Sequence, residues 1–253
     1  MYTKGAVRDL WYESYDHDER RCGVRVPGVS FVFPMFNEAE NIQETVQRAA
    51  DLARELAHDY EIIVADDAST DSSGDIVDAM AAKDSHIKSV RLKTNTKFGG
   101  ALNAGLKAAT KEIVIYTDSD FPAKEEDIRK ALDLLDGADI VTAYSLVIKD
   151  ASLKRIIMSK VYNFLVRLFF GLNIHDINSG LKIYKKKVLE GLDLKSRSPF
   201  IDVEIFAEAA KKGFTIRQYG LVFELRTKGS SSISRIGVVA RTFRDMFAYK
   251  FSV

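Results

Sequence analysis

The chain has 253 residues, 46% of them hydrophobic and 29% charged, with a formal net charge of +1. That length and apolar content suit one large α/β domain, or a domain with an appendage, and the balanced charge argues against a nucleic-acid partner. A single cysteine, Cys22, excludes an intrachain disulfide and a Cys-rich zinc site, and the four histidines are scattered without metal-ligand spacing.

Residues 1–27 are polar, carry Trp11, Tyr12 and Tyr15 without periodicity, lack an apolar signal region and read as a tail. No apolar run approaches the roughly 18–20 residues that cross a bilayer, so the expectation is a cytoplasmic protein without a spanning helix. Residues 29–33 (VSFVF) form a short apolar run ended by Pro34, the pattern of a fully buried strand. Asn37, Glu38 and Glu40 then open a helix to about Leu56, with Ile42, Val46, Ala49 and Ala53 on one face. A second strand, 61–65 (EIIVA), ends on Asp66-Asp67. A turn at 69–73 leads into a helix carrying Ile76, Val77 and Met80. A strand at 87–92, a helix at 99–109 and a strand at 113–116 follow. This alternation predicts an α/β fold, a mostly parallel doubly wound sheet with helices on both faces and right-handed crossovers.

A second part starts near Ala138. Residues 139–143 (DIVTA) read as a strand, 152–172 as a long basic and aromatic amphipathic stretch, and 178–184 (NSGLKIY) as a strand entered through a glycine turn. A helix at 201–212 stops at Gly213, and a strand follows at 215–224. The expected organisation is a tail over 1–27, a domain over 28–232 and a C-terminal amphipathic segment over 233–253.

In sheets of this kind ligands bind beyond the C-terminal strand ends. The polar signatures fall there: Asn37-Glu38, Asp66-Asp67 and Asp118-Ser119-Asp120. Asp118 and Asp120, two apart at a strand end, point to one side. Adjacent carboxylates repel unless a cation sits between them or one is protonated, and hard oxygens suit Mg²⁺ or Mn²⁺. Asp66 or Asp67 could accept from a nucleotide base or ribose, or could cap the next helix. Asp71 reads as helix-start electrostatics. The Gly-rich entry at 95–105 (NTKFGGALNAG), with Gly99, either lets backbone approach a phosphate or lets a helix pack closely. Lys97 either offsets diphosphate charge or faces solvent.

The segments FPMFNEAENI, EIIVADDASTDSS, NTKFGGALNAGLKAA and IYTDSDFP, in that order, resemble the inverting GT-A glycosyltransferases of family 2. Together with HDINSGLKIYKKKVLEGL and FIDVEIFAEAAKKGFTIRQYGLVFELRTKGSSS, they are most similar to the dolichyl- and polyprenyl-phosphate sugar transferases, over about residues 29–232. The resemblance implies a UDP- or GDP-sugar donor, with Pro34, Phe36 and Glu38 lining base and ribose and Asp66 near the base. It implies a metal and diphosphate at Asp118 and Asp120, and sugar and acceptor near Asp176, Asn178, Ser179 and Gly180. Arg226 and Lys228 would face phosphate. The sequence departs from the family pattern at Pro122, where a polar residue often supplies a further ligand, and at Gly229 to Ser232, which lacks the usual lysine; Arg235 is a candidate substitute.

A phosphate acceptor is already ionised and needs no base, whereas a hydroxyl acceptor needs a carboxylate in reach. Asp202 lies where hydroxyl-acceptor relatives carry their base, and Asp176 is the second candidate; Asp202 and Glu204 are alternatively a helix N-terminal acidic pair. The stretch 152–172 interleaves Lys154, Arg155, Lys160 and Arg167 with apolar residues, which suits either peripheral contact with a membrane or core packing with a solvated basic face. The expected acceptor is therefore a lipid phosphate. Transfer to a hydroxyl of a soluble acceptor, and a non-catalytic nucleotide-sugar-binding module, are the alternatives. A dinucleotide-binding fold is disfavoured, because 34–37 contains no glycine.

Overall fold

The computed structural model describes residues 25–147, 153–224 and 236–251. Seven strands make one sheet: β1 (Val26–Met35), β2 (Ala57–Asp66), β3 (Ile87–Arg91), β4 (Ile113–Thr117), β5 (Ile140–Ser145), β6 (Leu181–Lys185) and β7 (Ile216–Leu221). Their spatial order is β3-β2-β1-β4-β6-β5-β7. β1, β2, β3 and β4 pair in parallel. β6 runs antiparallel to both its neighbours, β4 and β5, while β5 and β7 are parallel to one another. The segment after Ala138 therefore extends the same sheet.

The helices are α1 (Ile42–Leu56), α2 (Ser73–Ala81), α3 (Lys97–Ala108), α4 (Glu125–Asp133), α5 (Leu153–Phe170), the short α6 (Lys186–Leu189), α7 (Ile201–Lys211) and α8 (Ile236–Phe251). They cover both faces of the sheet. Along β1, Phe31 and Phe33 join the core built with α1, α2 and α4, whereas Val32 joins the one built with α3, α5, α7 and α8. A strand buried on both faces reads as a continuous apolar run rather than an alternating one, which is why VSFVF is legible. The expected α1 face, Ile42, Val46, Ala49 and Ala53, is fully buried.

Four sequence expectations change. β1 begins at Val26, inside the expected tail, and continues through Pro34 to Met35. Proline is accommodated because β1 pairs with β4 only over 29–32, so the missing N–H falls beyond that ladder. α4 has no counterpart among the expected elements, since two thirds of it is acidic or basic and only Ile128, Ala131 and Leu132 are buried. The strand expected at 178–184 starts at Leu181, because 176–180 forms a turn.

At the opposite edge from the strand C-termini, Glu61 joins several elements. It accepts from the Ser30 hydroxyl, the Thr110 amide and hydroxyl, and the Lys88 ammonium. Burial pushes this carboxyl up, but Lys88, Ser30 and Thr110 outweigh it and hold it down to about 2.

Gly105 lets α3 lie directly on the sheet, since a Cβ there would stand 2.6 Å from Val32 Cγ1 and 3.3 Å from Ala65 Cβ. Both neighbours are fully buried and cannot yield. Gly105→Val should therefore cost about 2 kcal/mol or more through overpacking, read as a lowered urea midpoint at unchanged slope. An unchanged midpoint would contradict this packing.

Candidate active site

The loops that leave β1 and β2 are laced together. Asn37 donates from its backbone N–H to Ser69 Oγ (2.9 Å) and accepts at Oδ1 from the Thr70 amide (2.8 Å). The Glu38 amide donates to Ser73 Oγ (2.8 Å), while the Glu38 carboxylate accepts from Asn41 (2.9 Å). Asp71 Oδ1 accepts from the Ser73 amide at the start of α2, the helix-start role expected of it. Phe36 is 43% exposed at this edge, and Pro34 is half-buried with its carbonyl engaged by Ser119.

Asp66 and Asp67 are both buried and both hold loops. Asp66 Oδ1 accepts from the Ser69 amide (2.9 Å), and its Oδ2 lies 3.5 Å from Arg91 Nε. Asp67 Oδ1 accepts from the Thr96 amide (2.5 Å) and hydroxyl (2.8 Å), so it caps the entry to α3. Burial raises the Asp67 carboxyl above its usual range, opposed by hydrogen bonds from Thr96 and Lys97. The bonds of Asp66 and Asp67 go to the Ser69 turn and to the entry of α3 rather than to the start of α2, the next helix, and a nucleotide role would add to them.

Among the described residues, four non-glycine positions have left-handed φ: Asn37 (56°), Ala68 (58°), Lys97 (70°) and Phe121 (46°). Asn37, Ala68 and Phe121 lie in the loops following β1, β2 and β4, and Lys97 opens α3 after β3. Such conformations cost of order 1 kcal/mol or more and concentrate at functional sites. At Phe121 the compensation is visible. Its ring is buried, stacks with Phe33 (6.2 Å) and Phe31 (6.5 Å), and lies under the Arg48 guanidinium (4.6 Å).

That anchored ring fixes the loop carrying Asp118 and Asp120, both half-buried. Asp118 Oδ1 accepts from the Tyr116 hydroxyl (2.8 Å). On its other side is Gly180, where a Cβ would stand 2.7 Å from Asp118 Oδ2 and 3.2 Å from Pro122 Cγ. Gly180 is therefore required for the carboxylate's position, beyond its expected place near the sugar. Ser119, at the same strand end, also latches the scaffold: its hydroxyl donates to the Pro34 carbonyl (2.7 Å), and its carbonyl accepts from Thr45 (2.7 Å). Gly99 is a packing glycine. Its amide donates to the Arg197 carbonyl (3.0 Å), and backbone of 196–198 fills the space of a side chain. Glu204 carries the same loop, accepting from the Lys195 (3.0 Å) and Ser196 (2.9 Å) amides. Lys97 is exposed at the edge; Arg226, Lys228 and Arg235 lie outside the described residues.

The structure brings Asp202 to the sheet from α7. It is 1% exposed, and its Oδ1 lies 3.2 Å from the ammonium of Lys182, which has no exposed surface. Lys182 was missed in the sequence. It sits in LKIY, and nothing local says that β6 is inserted between two strands, where a lysine cannot reach water. Ser179 is buried within hydroxyl contact of Thr142 (3.4 Å), and its amide donates to the Asp176 carbonyl (3.4 Å); Asn178 is half-buried beside it. Burial pushes the Asp202 carboxyl up to about 6; Lys182 opposes this, and the Asp118 and Asp176 charges add to it.

A carboxyl whose pKa is higher folded than unfolded binds more protons in the native state. Its charge therefore weakens stability as pH rises from about 4 to about 6. Asp202→Asn removes that term. The stability of the variant relative to the parent should accordingly rise by up to about 3 kcal/mol across this window, measured by urea unfolding at several pH values. A pH-independent difference would show Asp202 to be ionised throughout.

Comparison with known proteins agrees with this architecture. The chain is 28% identical over 217 residues to the glycosyltransferase AglD of Haloferax volcanii, covering 82% of this chain and 34% of that protein. It thus spans about a third of the relative's length. Glucosyl-3-phosphoglycerate synthase of Mycobacterium tuberculosis, in a complex with Mn²⁺, UDP and glucosyl-3-phosphoglycerate, superposes with a TM-score of 0.68 at 18% identity, over 90% of this chain and 81% of that one. A complex of the same enzyme with Mg²⁺ and UDP gives 0.67 at 16%, over 90% and 80%. At such identity these likenesses establish the shared fold. The family model described as glycosyl transferase family 2 matches residues 30–193, most of the sheet and its C-terminal edge, and the chain belongs to that family.

Proposed function

We propose that the protein transfers a sugar from a UDP- or GDP-sugar, with inversion, to a polyprenyl or dolichyl phosphate, with Mg²⁺ or Mn²⁺ held by Asp118 and Asp120. The observation that carries the donor side is the convergence of Asn37-Glu38, Asp66-Asp67 and Asp118-Asp120 on one sheet edge, with a strained residue in each adjoining loop. The donor set fits a hard cation: two carboxylates two residues apart, one of them set between Tyr116 and the side-chain-free face of Gly180. Among the described residues no group of three His, Cys, Asp or Glu side chains could complete a cage. Diphosphate oxygens and water would complete the coordination, as Mg²⁺ commonly requires. Such a cation supplies Lewis-acid stabilisation of the leaving diphosphate. Solved structures of the glucosyl-3-phosphoglycerate synthase contain UDP with Mn²⁺ or Mg²⁺, which supports the same choice here.

Two features favour a lipid phosphate acceptor. Asp202, the leading base candidate for a hydroxyl acceptor, is buried against Lys182, whereas a phosphate needs no base. Second, α5 exposes Ile157 (52%), Val161 (47%), Phe164 (63%) and Leu168 (63%) at helical spacing, beside exposed Lys160 and Arg167. An apolar stripe flanked by cations suits an anionic bilayer surface. The opposite side of α5 is packed, with Tyr162 against Phe243 and Phe169 against Phe247 of α8. No described helix is long and apolar enough to cross a membrane. The phosphoglycerate acceptor of the solved neighbour keeps a soluble phosphorylated acceptor as the second reading.

UDP or GDP should raise the thermal midpoint when Mn²⁺ is present, with adenine nucleotides inert, because a ligand of the folded state stabilises it by mass action. Asp120→Ala should remove the metal-dependent part; a full response in that variant would contradict the metal assignment. The intact protein should co-sediment with anionic lipid vesicles, and a Phe164→Glu/Leu168→Glu variant should not. Absence of binding by the parent would refute the interfacial role and favour the soluble acceptor.

A further inference from the structure

A lysine with no exposed surface is costly unless each of its donors is satisfied. The Lys182 ammonium has three donors and three neighbours: it donates to the Ser179 carbonyl (2.7 Å), lies 3.2 Å from Asp202 Oδ1, and stands 5.0 Å from the centroid of the Tyr116 ring. Neutralising Asp202 would explain one of these contacts. The other two lead to Asp118. Tyr116 is the residue directly across from Lys182 on β4, and its hydroxyl donates to Asp118 Oδ1 (2.8 Å). Ser179 precedes Gly180, whose carbonyl accepts from the Asp118 amide (3.4 Å) and whose lack of a side chain makes room for Asp118 Oδ2. Thr142, the partner of Lys182 on β5, steadies Ser179 from the far side.

We propose that Lys182 is a positioning residue for the donor site, fixing the Asp118 carboxylate from two directions, through the Tyr116 ring and through the Ser179–Gly180 wall. This rests on the donor-site reading above and goes beyond it by assigning the support of the cation ligand to a residue that touches neither cation nor nucleotide. It also explains why the central reversed strand carries a charge. A neutral residue there would leave the wall and the tyrosine without a common tether.

The test is the binding of Mn²⁺ in the presence of UDP, and separately of GDP, to the full chain, followed by electron paramagnetic resonance of the free ion. Lys182→Met should weaken Mn²⁺ binding tenfold or more. Lys182→Met/Asp202→Asn, which removes the buried carboxylate charge left behind, should remain equally weak. Tyr116→Phe, which keeps the ion pair, should weaken binding several-fold. A double variant that binds Mn²⁺ as tightly as the parent would overturn the proposal and make Lys182 a counter-ion alone. If neither lysine variant folds, parent-like affinity in Tyr116→Phe overturns it. A parent that binds no Mn²⁺ with either nucleotide instead refutes the donor-site reading itself, and this assignment falls with it.

Discussion

Parallel strands share a direction, and β1, β2 and β4 end within about two residues of one another along the sheet. β1 registers residue for residue with β2 from Val26↔Ala57 to Met35↔Asp66, and with β4 from Val29↔Ile113 to Val32↔Tyr116. Whatever follows each strand is therefore delivered to one edge, however distant in the chain. The hydrogen bonds that stitch Asn37 to Thr70, Ser119 to Pro34 and Asp67 to Thr96 are consequences of that register.

The carboxylates gathered at this edge have different roles because their surroundings differ. Asp66, Asp67 and Asp71 each hold loop backbone through one carboxylate oxygen. Asp118 and Asp120 stay half-buried at the rim. Asp202 is taken fully out of water and balanced by Lys182. A charge pair in a dry interior contributes little net stability, so stability alone does not account for the Asp202–Lys182 pair. The reversed strand β6 is what inserts that lysine between the ends of β4 and β5, close behind Asp118.

The parallel half of the fold was legible because its strands are buried on both faces and its helices carry apolar residues at a 3.6-residue period. The site's outer ring was legible for the same reason, since Asp118-Asp120 and Asp66-Asp67 directly follow strands. What escaped reading depended on long-range topology. α4 has a narrow apolar face. Lys182 looks like an ordinary strand residue until β6 is known to be central. The Ser119 hydroxyl and the Gly99 amide are engaged by Pro34 and Arg197, residues far away in sequence that no local motif names. Motif position shows which residues reach the edge; it does not show which of their atoms are already taken.

Donor and acceptor readings stand on separate parts of the molecule. The donor side rests on the rigid edge of the parallel sheet, the acceptor side on an apolar stripe of α5, and either can fail alone. The central claim is that Asp118 and Asp120 hold a divalent cation that neutralises the departing diphosphate. Anomalous diffraction from a crystal soaked with Mn²⁺ and UDP or GDP tests it most directly. The expected result is one manganese peak within about 2.3 Å of oxygens from both aspartates. A manganese peak and an ordered nucleotide elsewhere on the protein, with both aspartates unligated, would contradict it.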